Sequence, residues 1–181
     1  MSTQVSLCLI VVTYNSENTI RDCLDSLAIQ ISSKDKILVF DNGSMDGTKN
    51  ILSEYESKVS LHFSKKNFGF SYACNWCAKQ TNASHLAFIN PDAVADLGLV
   101  DRARNTFIDS TVSLVGFSCK DKNGFPDKNF RRYPSVFSGL LTIIDTIKFK
   151  VNQSFHSEFD LQIHYLDGSC MFINRQVFFD V

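Results

Sequence analysis

The residues best suited to chemistry fall into four short polar clusters, each directly after an apolar run. They are Thr13-Tyr14-Asn15-Ser16-Glu17, Asp41-Asn42-Gly43-Ser44-Met45-Asp46-Gly47, Asn67-Phe68-Gly69-Phe70 and Asn90-Pro91-Asp92. Asp92 is a carboxylate just past a strand-like segment, and Pro91 stiffens the turn that presents it. Hard divalent cations take oxygen ligands, and Mg²⁺ often takes one or two carboxylates plus substrate phosphates. The same tripeptide also reads as a simple strand-ending turn. Asp41 ends the second apolar run, where a carboxylate can accept from a base N–H or a ribose hydroxyl. An Asp in a glycine-rich loop can equally be a turn or cap residue. Each cluster alone is a loop or a cap; four on one edge of a sheet describe a polar crevice.

Other reactive residue types carry less. Cys74-Asn75-Trp76-Cys77 has redox or zinc spacing. A redox pair belongs at a helix N-terminus, where the thiolate is favoured, whereas this pair lies inside a helical stripe. A four-ligand zinc site needs a second pair, and none is suitably spaced. Core packing is the better reading. His62, His85, His156 and His164 are scattered and pair with no nucleophile motif, so they read as structural or surface residues. Arg131 and Arg132 could grip a phosphate or an acidic acceptor, or simply lie in a solvated loop.

The clusters need a scaffold, and the periodicity supplies one. Val5 to Val12 reads as a buried strand. Ile20, Cys23, Leu24, Leu27 and Ile31 recur at helical spacing, with Ser16 as the expected N-cap. Strands are expected at Ile37 to Phe40, Val59 to Phe63, Leu86 to Ile89 and Val112 to Phe117. Helical stripes lie between them at Ile51, Leu52 and Tyr55, at Phe70, Ala73, Cys74, Cys77 and Ala78, and at Leu97, Val100, Ala103 and Phe107. Alternating strands and helices predict an α/β fold: an open, mainly parallel sheet with helices on both faces. Such sheets bind ligands beyond the carboxyl ends of their strands. The second half differs: a hairpin signal at Asn123-Gly124, an apolar Val136 to Ile147 that could form a short helix, a weakly patterned stretch over 148–162, and strand-like sequence from Tyr165 to Ile173 broken at Asp167-Gly168.

Composition narrows the partners. A chain of 181 residues with 44% hydrophobic residues fits one domain with a sizeable core. A net charge of -1 favours no nucleic-acid grip. The N-terminal apolar run has no preceding basic residue and no cleavage-site pattern, and no stretch approaches the ~20 apolar residues of a membrane helix. Six cysteines without a secretion signal read as buried thiols in a reducing compartment. The expected location is therefore the cytoplasm.

The ordered set of Val11-Val12-Thr13-Tyr14-Asn15-Ser16-Glu17, Asp41 to Gly47, Asn67-Phe68-Gly69-Phe70 with Asn75, and Asn90-Pro91-Asp92-Ala93 resembles family-2 glycosyltransferases of the GT-A fold. Arg132-Tyr133-Pro134 and Leu166 to Arg175 are similar to the bacterial rhamnosyltransferase-like branch. The resemblance spans nearly the whole chain.

It implies a nucleotide-sugar site formed by Thr13, Tyr14, Asn15, Glu17, Asp41, Asn42, Ser44, Asn67, Gly69, Asn90 and Asp92. Asp41 would contact the pyrimidine, and Asp92 would be the main protein ligand of Mg²⁺ or Mn²⁺ on the diphosphate. Asn90 stands where the family's Asp-x-Asp motif has its first Asp and is a weaker cation ligand, so the metal would depend partly on phosphate oxygens and water. The implied reaction is an inverting transfer of a hexose, rhamnose among the candidates, from a UDP- or dTDP-sugar to a glycan or lipid-linked acceptor in cell-surface polysaccharide synthesis. The acceptor would permit peripheral association with the inner face of the membrane. One domain is expected over 1–181, with a donor-binding half at 1–117 and the start of an acceptor-side half at 118–181. The general base is expected beyond Val181; Asp180 comes too early to match it and Asp167 is a poor substitute. Two other readings stand beside this one: a non-catalytic nucleotide-sugar-binding module, and a nucleotidyltransferase. The latter is disfavoured because Thr13-Tyr14-Asn15 occupies the place of a glycine-rich, basic phosphate loop.

Overall fold

The computed structural model describes residues 5–117 and 170–181, together with the backbone of four two-residue strands between them. Expectations at Asn123-Gly124, Arg132, Val136 to Ile147, 148–162, His156, His164 and Asp167 lie outside the described residues.

The first four strands are β1 (Leu7–Thr13), β2 (Lys36–Asp41), β3 (Ser60–Phe63) and β4 (His85–Ile89). The helices after them are α1 (Ile20–Ala28), α2 (Thr48–Ser53), α3 (Phe70–Lys79) and α4 (Leu99–Thr106). β5 (Leu114–Gly116), β10 (Cys170–Asn174) and α5 (Arg175–Asp180) complete the main body. The six-stranded sheet runs β3-β2-β1-β4-β10-β5. β1 to β4 pair in parallel, and β10 runs antiparallel between β4 and β5. The short strands β6 (Cys119–Lys120) and β7 (Pro126–Asp127) pair antiparallel around the expected hairpin. β8 (Phe130–Arg131) and β9 (Tyr165–Leu166) form a second antiparallel pair. The break expected after Leu166 therefore separates two strands in different sheets.

Strand alternation divides the core in two. Leu7, Leu9 and Val11 of β1 face Ile20, Cys23, Leu24 and Leu27 of α1, with Leu52 from α2 and Val100 and Ala103 from α4 on the same side. Cys8, Ile10 and Val12 face Ala73, Cys74, Cys77 and Ala78 of α3. Burying a Leu or Ile contributes about 1.5–3 kcal/mol, so the α1 stripe alone commits that helix to the sheet. The Cys-x-x-Cys pair is part of this packing. Burial pushes the Cys74 thiol up to about 12 and raises Cys77 further, so neither is poised as a thiolate.

Some boundaries differ from the periodicity. Ser16 is not the side-chain cap of α1: its carbonyl oxygen accepts from the Thr19 and Ile20 N–H groups, while its hydroxyl turns to the Tyr14 carbonyl. A turn at 17–19 therefore precedes the helix, whose N-cap is Thr19. Ile31 lies past the end of α1 yet still packs on the core. Leu97 is excluded from α4 because Gly98, at φ 82°, breaks the backbone before the helix, leaving Leu97 74% exposed.

Candidate functional site

Parallel pairing places the ends of β1, β2, β3 and β4 on one edge of the sheet. The chain steps from β1 outward through β2 to β3, then returns through α3 on the opposite face to β4, beside β1. A right-handed crossover requires that change of face. The connections after β1 and β4 thus lead to opposite edges of the sheet, which makes the gap between them a topological switch point. A cleft of about 460 Å³ opens there. Its walls include Asn15, Ser16, Asn18 and Thr19 after β1, Asn90, Pro91 and Asp92 after β4, and Phe70 at the start of α3.

The wall after β1 is held by the loop after β2. The Asn15 N–H donates to Ser44 Oγ at 2.9 Å, and Asn15 Oδ1 accepts from the Met45 N–H at 2.8 Å. This clamp keeps Asn15 at φ 50°, a conformation that Asn tolerates better than most residues. The Ser16 N–H donates to Thr48 Oγ1 at 2.8 Å. Glu17 Oε2 accepts from the Gly47 N–H at 2.7 Å, and the Glu17 N–H donates to Asp46 Oδ2 at 3.2 Å. Burial opposes ionisation of Asp46, but hydrogen bonds from the Thr48 hydroxyl and from the Thr48 and Glu17 N–H groups outweigh it and hold this carboxyl below the usual range.

The loop after β2 is fixed in turn. Asp41 is fully buried, and its carboxylate accepts from the Ser44 N–H at 3.2 and 3.3 Å, with Lys49 Nζ 4.0 Å away. Asn42 Oδ1 accepts from the Phe68 N–H at 2.9 Å, which ties in the loop after β3. Gly43 has φ 85°, and a Cβ there would lie 2.8 Å from the Lys66 carbonyl carbon. Only glycine lets these two loops pack so closely. Asn67 Oδ1 accepts from the Gly69 N–H in a local turn. The Thr13 hydroxyl is buried at the end of β1 with no hydrogen-bond partner among the described residues.

Of the expected site residues, Asn15, Asn90 and Asp92 line the cleft. Thr13 and Asp41 end β1 and β2, and Glu17, Asn42, Ser44, Asn67 and Gly69 lie in the three loops that support the β1 wall, with Tyr14 half-exposed on the first of them. Asn18 and Thr19 were not expected in the wall, because a cap at Ser16 would have put both in the helix. Their signal was the polar run continuing unbroken from Thr13 to Thr19.

The wall after β4 rests on α1. Cys23 Sγ donates to the Asn90 carbonyl oxygen at 3.5 Å. Burial, and then the nearby charge of Asp92, push this thiol up to about 12, so it stays a neutral donor. Asp92 itself is exposed. Among the described residues no group of three or more His, Cys, Asp or Glu side chains could hold a metal ion. One carboxylate on an open cleft suits a cation that brings most of its ligands with it, as Mg²⁺ does with phosphates and water.

Glycosyl transferase family 2 matches residues 8–180. Glycosyltransferase AglE of Haloferax volcanii is 30% identical over 120 residues, covering 64% of this chain and 40% of AglE. The crystal structure of S. aureus TarS 1-349 superposes with a TM-score of 0.67 at 20% identity, covering 97% of this chain and 49% of that one. TarS in complex with UDP-GlcNAc gives 0.58 at 28% identity over 71% of this chain and 39% of that one. The mannosyltransferase PcManGT from Pyrobaculum calidifontis, in complex with GDP-Man and Mn²⁺, gives 0.60 at 18%, covering 96% of this chain and 46% of that one. The chain thus spans less than half the length of AglE and about half of TarS 1-349. With the switch-point cleft and a family match over nearly its whole length, the chain belongs to glycosyl transferase family 2 and has the GT-A fold.

Proposed function

We propose that the chain binds a nucleotide-diphosphate sugar, UDP- or dTDP-linked, in the cleft between the loops after β1 and β4. The carrying observation is the position of Asn15, Asn90 and Asp92 on facing walls of that cleft. The complexes of TarS with UDP-GlcNAc and PcManGT with GDP-Man and Mn²⁺ support the donor class. Residues 1–117 would form the donor-binding half and 118–181 the start of the acceptor side.

In this reading the ends of β1 and β2 meet the base and ribose, the fully buried Asp41 acts through the Ser44 backbone that its carboxylate holds and not by direct contact, and the clamped Asn15 loop meets the phosphates. Asp92, with Asn90 beside it, would hold Mg²⁺ or Mn²⁺. A bound cation supplies charge neutralisation on the leaving diphosphate. The reaction is an inverting displacement: the acceptor hydroxyl oxygen bonds to the anomeric carbon, the bond to the diphosphate breaks, and a base takes the hydroxyl proton. Rhamnose or another hexose would pass to a glycan or lipid-linked acceptor in polysaccharide synthesis, on the cytoplasmic side.

Calorimetric titration with UDP and with dTDP, each with and without Mn²⁺, tests the proposal. Metal-dependent binding of at least one nucleotide is expected. Binding of neither would overturn the donor-site reading.

A further inference from the structure

Between Val59 and Pro91 the chain has no Asp or Glu, yet it carries Lys65, Lys66 and Lys79 and a run of aromatic residues. A chain with 19 acidic and 18 basic residues overall has therefore separated its charge locally. The structure gathers these residues along one flank of α3. Phe68 stacks on Tyr72 with ring centroids 4.8 Å apart, and Lys66 Nζ lies 5.0 Å from the Phe68 centroid. Tyr72 meets the buried Phe40 ring edge-on, and half-buried Trp76 packs on Phe40 and His62. Lys79 follows Tyr72 by two helical turns, so it continues the same stripe. Phe68, Phe70 and Tyr72 are 45%, 50% and 49% exposed. Among the described residues none of the three lysines has a carboxylate within ion-pair distance.

We propose that this basic and aromatic flank of α3 docks on an anionic lipid surface. Charge complementarity gives the sign of the partner. The ring geometry gives its kind. The cation and the stacked Tyr72 ring both engage Phe68, so basic and aromatic groups form one amphipathic cluster. Half-exposed aromatic rings beside lysines suit the headgroup level of a bilayer, where amphipathic rings concentrate and ammonium groups meet anionic lipids. Each lysine near an anionic leaflet adds a modest attraction that salt screens. Three lysines and two exposed rings, Phe68 and Tyr72, therefore give weak, reversible, salt-sensitive binding. Phe70, two residues before Tyr72, lies on the other side of the helix and belongs to the wall of the cleft, not to this stripe. The inference does not depend on the donor reading, since none of the residues of the stripe lines the cleft.

The test is flotation of the full chain with vesicles of phosphatidylcholine alone or mixed with phosphatidylglycerol. Binding is expected only to the mixed vesicles, and it should fade with added salt. Replacing both Lys65 and Lys66 with Glu should weaken partitioning at least about thirtyfold, from the two attractions lost. Phe68→Ser with Tyr72→Ser should weaken it at unchanged charge. Lys58→Glu serves as the charge control, because its ammonium lies over Tyr55 beside α2, away from this flank; its binding should stay near that of the parent chain. Circular dichroism melts and UDP titration of each variant separate loss of docking from loss of fold or of the donor site. No binding to mixed vesicles overturns the proposal. So does a loss with Lys58→Glu about half that of the double change on a logarithmic scale, which would mean that only net charge matters. Capture of a soluble acidic polysaccharide without vesicle binding would also overturn it, in favour of an anionic glycan.

Discussion

The Cys23 thiol lies 3.5 Å from the Asn90 carbonyl oxygen, so a core residue of α1 props up the turn that carries Asp92. Cys23→Ala removes the donor and leaves a small void behind the turn. Stability should fall by about 1–2 kcal/mol, measured by urea denaturation. If the turn also positions a metal-bound diphosphate, UDP affinity in Mn²⁺ should drop several-fold while metal-free affinity stays constant. Equal losses with and without Mn²⁺ would make Cys23 a packing residue only.

Asn15 and Gly43 hold left-handed backbone in adjoining loops. Asn15→Gly keeps the conformation but leaves the Met45 N–H without its acceptor, whereas Asn15→Ala adds backbone strain of about 1 kcal/mol. Denaturation should rank the parent chain first, Asn15→Gly second and Asn15→Ala last. Gly43→Ala should cost more than either, because its Cβ meets the Lys66 backbone and not a movable side chain. If Gly43→Ala proves neutral, the close approach of the two loops is not needed for stability.

Much of this scaffold was legible in the sequence. The stripe Ile20, Cys23, Leu24, Leu27 predicts the buried face of α1 residue by residue, because helical period and burial share one cause. The polar clusters after each apolar run located the cleft edge, because parallel strands place their ends together. Three things were hidden. The antiparallel insertion of β10 between β4 and β5 pairs Asn174 with His85 and Ile173 with Leu114, residues far apart in the chain, and such pairing leaves no local pattern. Ser16 fails as a cap because its hydroxyl bonds the Tyr14 carbonyl, while its N–H is taken by Thr48 at the start of α2, a partner that local sequence does not reveal. The buried state of Asp41 depends on a loop folding back over it, and a carboxylate at a strand end looks the same in sequence either way.

Acid should destabilise the fold in two steps. Burial of His85, which stacks on Phe107 at 4.1 Å, lowers its pKa. Below its unfolded value of about 6.5 the unfolded chain takes up the proton more readily, so stability falls as pH drops from there toward the native value. Asp35 follows at lower pH. Burial opposes its ionisation, but bonds from Ser32, Leu7 and Arg104 outweigh this and depress its pKa. Its contribution is complete above the unfolded value of about 3.9 and is lost as pH falls through the native one. Denaturant midpoints across pH should show both limbs. His85→Gln should flatten the upper limb and Asp35→Asn the lower; an unchanged upper limb in His85→Gln would assign it to another group.

Asp92 carries the sharpest prediction. Its side chain is exposed, and apart from its charge acting on Cys23 it has no ion pair or side-chain hydrogen bond among the described residues. Asp92→Ala should therefore change stability by no more than about 0.5 kcal/mol. Because no other carboxylate among the described residues lines the cleft, the same change should abolish the Mn²⁺ dependence of nucleotide binding. Asp92→Asn keeps the shape and removes the charge, and it should behave like the Ala variant if charge is what holds the cation. Titration with UDP in the presence and absence of Mn²⁺ decides the matter. Retention of the full Mn²⁺ effect in both variants would remove Asp92 from the metal role and leave the cleft to bind the diphosphate through Asn15, Asn90 and the backbone of the loop after β1.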